Sequence, residues 1–270
     1  MFPKLLELGP ITLKTYGVCM ALGFLLAWKV IERLSGRKDL ADLMMYTMVA
    51  GVVGSRIAYV VEHWKAEFAG NPLMVLRVDK GGLVFYGGLI LAMTVFFAWC
   101  WKKRERPLPL ADLLCVSIPL GHAFGRVGCF FYGCCWGRIS DSPLAVRFPM
   151  HSPAWFEQVS QGLIPSSASA SLPVLPTQLF EAAALLALFS AVLAIYLKWR
   201  RFSAGAYLVG YAAVRFGLEC LRGDPRAAVL GLSIGQTISI GMALVGASFI
   251  ALEAKRSTGL ASRPESILPK

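Results

Sequence analysis

The sequence is poor in charge. Only 16% of its 270 residues are Asp, Glu, Lys or Arg, against 56% hydrophobic residues and a mean hydropathy of +0.60, a balance that excludes an ordinary soluble globular domain. Polar linkers long enough to separate two soluble domains are missing. So are internal repeats, and low complexity is confined to Ser166-Ser167-Ala168-Ser169-Ala170-Ser171. No C-x-x-C motif occurs, and seven cysteines set mostly inside apolar runs do not make a secreted disulfide framework. The first apolar run lacks a small-residue cleavage site after it, so it reads as a retained helix rather than a removed signal peptide.

What is present is a series of apolar runs of about 20 residues, the length that crosses a hydrocarbon core of roughly 30 Å. They predict an all-α, polytopic membrane protein with a single transmembrane domain, residues 1–270, and seven spans at about 11–30, 40–61, 83–101, 110–132, 178–197, 204–221 and 232–252. Residues 1–10 are amphipathic, end in Gly9-Pro10, and are expected to lie on the membrane surface. Basic clusters follow spans one, three, five and seven, so those ends face the cytoplasm by the positive-inside rule. The N-terminus is then outside, the C-terminus inside, and residues 138–175 form an extracytoplasmic head or loop between the fourth and fifth spans. The net charge of +11 resides in these clusters. That pattern marks topology at an anionic membrane face, so the bilayer is an expected partner and nucleic acid is not.

Ionisable groups at membrane depth are expensive and therefore informative. Residues 119–138 hold Arg126, His122, three cysteines and five glycines. On a helix, His122 and Arg126 share a face that Cys129 and Gly133 continue, while the glycines admit a close backbone or headgroup. The stretch reads as one wall of an anion site. A second constellation sets Arg215, Glu219 and Arg222 at i, i+4 and i+7, two arginines around one glutamate, which leaves a positive charge for a phosphorylated ligand. Arg56 is a third arginine in an apolar run, either a ligand contact or the partner of Glu181 or Glu219. Glu181 itself could cap the fifth span or orient an arginine. Tyr16, Tyr59 and Tyr86 suit the membrane interface, but Tyr86, between glycine pairs, also suits a tight site. Cys129, Cys134 and Cys135 could pack, bridge or react. Their C-x4-C-C spacing is no recognised zinc pattern, and no metal or cofactor is expected from it. A thiol–disulfide oxidoreductase built on these cysteines, and an anion transporter, are the alternative activities.

The motifs together resemble a known family. His122-x-x-Gly125-Arg126-x-x-Cys129-Phe130-x-x-Gly133-x-x-Trp136-Gly137-Arg138 is similar to the signature of the prolipoprotein diacylglyceryl transferases. Tyr16-Gly17, Gly54-x-Arg56-x-x-Tyr59, Gly87-Gly88-Leu89-Ile90, residues 176–181, Arg215-Phe216-x-x-Glu219-x-x-Arg222 and Gly235-Gln236-x-x-Ser239 follow in the family's order. The resemblance implies transfer of the diacylglyceryl group of phosphatidylglycerol to the lipobox cysteine of preprolipoprotein signal peptides, with release of glycerol-1-phosphate. It implies a multi-pass protein of the bacterial inner membrane whose site faces the outer leaflet, and a monomer is expected. It implies Arg126 and Arg215 as catalytic residues, and Tyr86, His122 or a thiol lowered by a neighbouring arginine stand as the candidates to accept the proton. Arg126, Arg215, Glu219, Arg222, Tyr16, Arg56, Gly133 and Gly137 would bind substrate. In the family's usual pattern Asn stands at Cys129, Glu at Cys134 and His at Tyr86, so this chain departs where proton transfer is expected.

Overall fold

The computed structural model describes residues 4–8, 11–76, 82–224, 228–229 and 231–261. It opens on a hairpin in which β1 (Lys4–Leu8) pairs antiparallel with β2 (Ile11–Lys14), Leu8 opposite Ile11. The first helix thus begins at Thr15, a few residues after the expected start of span one at about 11. β-Branched Ile11 and Thr12 favour strand; Gly9-Pro10 lies outside the described residues. The helices follow as α1 (Thr15–Ser35), α2 (Asp39–His63), α3 (Phe85–Lys103), α4 (Pro107–Tyr132), the short α5 (Pro153–Ser160), α6 (Thr177–Trp199) and α7 (Ser203–Glu219). A two-residue hairpin of β3 (Ala228–Val229) and β4 (Leu232–Ser233) leads into α8 (Ile234–Ala261).

Five of these helical segments are long and apolar enough to cross a membrane: Asp39–Phe68, Phe85–Lys103, Pro107–Tyr132, Thr177–Trp199 and Ile234–Lys255. The chain is therefore a largely helical polytopic membrane protein. α1, of 21 residues, and α7, of 17, stand outside that set, so five of the seven expected spans meet the requirement.

The chain divides into two compact units, Ile31–Leu110 and the combination of Met1–Val30 with Ala111–Lys270. In the first, α2 and α3 touch backbone to backbone, and no side chain larger than hydrogen fits at Gly54, Gly87 or Gly88. Arg37 joins the two loops of this unit, reaching both Asp39 and Glu105 at 2.7 Å. Arg56 donates to the carbonyls of Met74, Val75 and Gly82 at 2.7, 2.9 and 3.1 Å and lies over the rings of Tyr59 and Phe68. Backbone carbonyls satisfy its fork-shaped donor.

In the second unit α4 and α7 run parallel and are tied at both ends. Near their starts, the buried Asp112 carboxylate accepts the Ala204 amide at 2.8 Å, capping the first turn of α7. Beyond their ends, the Arg138 amide donates to the Leu221 carbonyl at 2.8 Å and Gly137 pairs with Arg222. A Cβ at Gly137 would lie 2.8 Å from the carbonyls of both Leu175 and Leu221, so only glycine fits that seam. α7 and α8 close similarly at Gly205 and Gly246. Residues 138–175 form a packed lobe rather than an open loop. Val174 bridges to Ile139 and Val146, Ser152 caps α5, and Trp136, Phe148, Ala154 and Val174 make a small core.

Candidate active site

Three helices of the second unit meet around one carboxylate. Glu181, one turn into α6, is fully buried, and its Oε1 lies 2.9 Å from Arg126 Nη2 on α4. Its Oε2 lies 3.6 Å from Arg215 Nη1 on α7, and His122 Nε2 is 3.9 Å from Oε1. The Tyr211 hydroxyl donates weakly to the same oxygen at 3.4 Å, and its ring meets His122 edge to face at 5.0 Å. Arg215 is held a second time by Glu219, one turn along α7, at 2.8 Å. Glu181 thus orients two arginines. Its alternative role as a helix cap is not the one observed, since α6 starts at Thr177 and Pro176 contributes no side-chain cap.

The charge count differs from the sequence reading. Arg222 was expected on the helix face of Arg215 and Glu219, but α7 ends at Glu219, ahead of Gly223 and Pro225, which break helices. Arg222 instead grips Asp224 with both nitrogens, at 2.8 and 2.7 Å. Among Arg126, Arg215, Glu181 and Glu219 the formal charges cancel. An anion is therefore attracted here by directed donors rather than by surplus charge. Arg126 Nε and Arg215 Nη1 are buried and make no hydrogen bond, and such groups carry a desolvation cost that an anionic oxygen relieves.

Gly235, at the start of α8, packs against this cluster, where an added Cβ would come within 2.8–2.9 Å of the Glu219 carboxyl group. Gly235→Ala is expected to push Glu219 off Arg215. Catalytic activity should fall by about tenfold or more while Tm changes little, since loss of a positioning contact costs activity before stability. Steady-state kinetics beside a thermal melt checks this, and an unaltered rate would remove Glu219 from the positioning of Arg215.

The three cysteines converge just beyond α4. Cys129, Cys134 and Cys135 are free and half-buried, with sulfurs all within 4.8 Å of one another. Gly133 at φ +81° turns the chain and Cys135 at φ +63° continues it in the left-handed region, which costs a non-glycine residue about 1–3 kcal/mol unless its surroundings enforce it. Two buried side chains from the start of α6 do so. Gln178 Nε2 donates to the Cys134 carbonyl at 2.7 Å and Thr177 Oγ1 to the Cys135 carbonyl at 2.9 Å. The Cys135 thiol is held well below its ordinary value by hydrogen bonds from Cys129 and Cys134 and by Arg222, while Cys134 is pushed up by the same sulfur neighbours.

Of the residues expected at the site, the structure gathers His122, Arg126, Arg215 and Glu219 around Glu181. Arg222 and Tyr16 border the cysteines. Gly133 serves the turn, and Gly137 the seam between the ends of α4 and α7. Tyr86 is half-exposed at the start of α3, and it and Arg56 belong to the other unit. Tyr211, Thr177 and Gln178 were not expected. Tyr211 was findable, since it precedes Arg215 by four residues on the same helix face.

A family model described as prolipoprotein diacylglyceryl transferase matches residues 3–252. The chain is also similar to proteins named phosphatidylglycerol–prolipoprotein diacylglyceryl transferase. That of Bordetella bronchiseptica is 34% identical over 271 residues, covering 94% of this chain and 95% of the relative. That of Pseudoalteromonas translucida is 30% identical over 95% and 94%, and that of Vibrio cholerae 30% over 94% and 92%.

Proposed function

The chain belongs to the prolipoprotein diacylglyceryl transferase family, and from that premise we propose that it moves the diacylglyceryl group of phosphatidylglycerol onto the lipobox cysteine of preprolipoproteins. The observation that carries the chemistry is the pair of buried, unoccupied donors, Arg126 Nε and Arg215 Nη1, held on either side of Glu181. Phosphate oxygens of the lipid would accept from both. The acceptor thiol, once ionised, attacks the glyceryl carbon that carries the phosphate ester. A C–S bond forms, the C–O bond breaks, and its electron pair leaves with glycerol-1-phosphate. Negative charge grows on the departing oxygen, where arginine donors already placed are worth most. An open apolar groove on α7 and α8, lined by Val209, Ala212, Phe216, Gly217, Ile240 and Ala243, suits an acyl chain.

In this reading the chain works as one monomeric domain of the bacterial inner membrane, and α1 and α7 cross the bilayer to complete seven spans. The N-terminus and the lobe at 138–175 lie outside, and the basic ends of the odd-numbered spans face the cytoplasm. Tyr16, Tyr86, Arg56 and His122 serve substrate binding or proton movement. The test is a transfer assay with purified protein in phosphatidylglycerol vesicles and a lipobox peptide. Thioether peptide and glycerol phosphate should appear in equal amounts, and neither should form when serine replaces the acceptor cysteine. Failure to make thioether with folded protein would overturn the proposal.

A further inference from the structure

We propose that Cys129, Cys134 and Cys135 form a three-sulfur site for a zinc ion, whose fourth position receives the thiol of the acceptor peptide; the acceptor's part in this rests on the transferase reading above. A Zn–S bond of about 2.3 Å places sulfurs around one ion at about 3.8 Å from each other. The three Sγ atoms already lie within 4.8 Å of one another, so an approach of no more than about 1 Å closes the site. The backbone is fixed for that purpose. The amides of Gly133 and Cys134 return to the Cys129 carbonyl at 2.9 and 3.2 Å, and Thr177 and Gln178 hold the next two carbonyls from behind. A metal site needs ligands locked by outer hydrogen bonds of this kind.

The donor set selects the metal. It holds three sulfurs and neither imidazole nor carboxylate, which favours a thiophilic ion over magnesium, calcium or manganese. Three protein ligands with one exchangeable position is the arrangement in which zinc reacts rather than merely braces a fold. The cysteines are half-buried, so an incoming thiol can reach them. Three thiolates and one Zn²⁺ carry a charge of −1, and Arg126 and Arg222, both close to Cys135, offset it.

The chemistry follows without any redox step. A thiol that coordinates zinc gives its proton to water. Its sulfur attacks the glyceryl carbon while the phosphate ester departs toward Arg126, and the neutral thioether, a weaker ligand than thiolate, dissociates from the metal.

The experiment uses the purified full chain. After dialysis, elemental analysis should find about one zinc per chain. Cobalt(II) exchanged into the wild type should give thiolate-to-cobalt absorption bands and the intense visible bands of four-coordination. A lipobox peptide added without lipid should shift those bands, and its serine analogue should not. Cys134→Ser and Cys135→Ser should each lower metal affinity by about tenfold or more. Should either variant fail to fold, the cobalt spectrum of the wild type still decides. Absence of zinc and cobalt binding, or a disulfide joining Cys129 to either neighbour in the metal-free protein as isolated, overturns the inference. Transfer at the full rate by zinc-free protein overturns it too and leaves the transferase reading standing. Three-thiolate cobalt bands without transfer in any form would uphold the metal site and overturn the transferase reading instead.

Discussion

Arg126→Ala lowers kcat/KM for diacylglyceryl transfer by about 10²–10³-fold, the loss typical of one preorganised donor at a developing negative charge. Arg126 enters the site from α4 already committed on one side, with Nη2 on Glu181 at 2.9 Å, while its buried Nε donates to nothing. On the proposed reading a lipid phosphate oxygen would complete that donor, and the contact would strengthen as the phosphate ester departs. The loss should therefore fall mainly on kcat rather than on KM. Arg126→Lys separates charge from shape. Lysine supplies a point charge able to meet Glu181 but not the fixed fork that serves both Glu181 and phosphate, so activity should remain more than about tenfold below wild type. Vesicle kinetics for the three proteins decide the matter. A lysine variant as active as wild type would mean that charge alone is used, and the directed-donor account would fail.

Glu181→Ala is expected to be the most damaging single change to stability. One carboxylate buried among three helices separates two arginines and accepts from Tyr211. Its removal leaves guanidinium groups facing each other out of water. Breaking a buried ion pair from one side costs about 3–5 kcal/mol, so Tm should drop by several degrees and transfer should cease. Glu181→Gln keeps the shape and one acceptor and should melt between the two, still with little activity. The informative variant is the double Arg126→Ala/Glu181→Ala. If the damage arises from an uncompensated cation, deleting Arg126 as well should restore part of the lost Tm. Additive losses would show instead that Glu181 acts by packing.

Much of this arrangement was legible before the fold. Arg126 and His122 shared a helix face, and Arg215 with Glu219 announced an intrahelical pair, because helix spacing is a local property that the sequence displays directly. Glu181 was harder to place. Its role as hub exists only where α4, α6 and α7 meet, and nothing in residues 176–181 encodes that meeting. Arg222 misled for the opposite reason, since a helical count was carried past the end of α7 at Glu219 and the charge left over proved to be matched by Asp224. The closeness of the cysteines was not legible either. Two residues at positive φ bring the sulfurs of C-x4-C-C together, and linear spacing carries no information about such a turn. The opening hairpin was missed because apolar residues ahead of a helix look like the helix's own first turns.

The parallel fastening of α4 and α7 bears on how the protein answers to its solvent. Free helices meet a thicker or thinner bilayer by changing tilt. Here the carboxylate of Asp112 holds the pair at one end and the seam at Gly137, Leu221 and Arg222 holds it at the other, so the two can tilt only together. The separation of Arg126 from Arg215 is then set by the protein and not by the lipid. Host vesicles of different acyl-chain length should change how the whole body leans, while the two arginines keep the same grip on a headgroup.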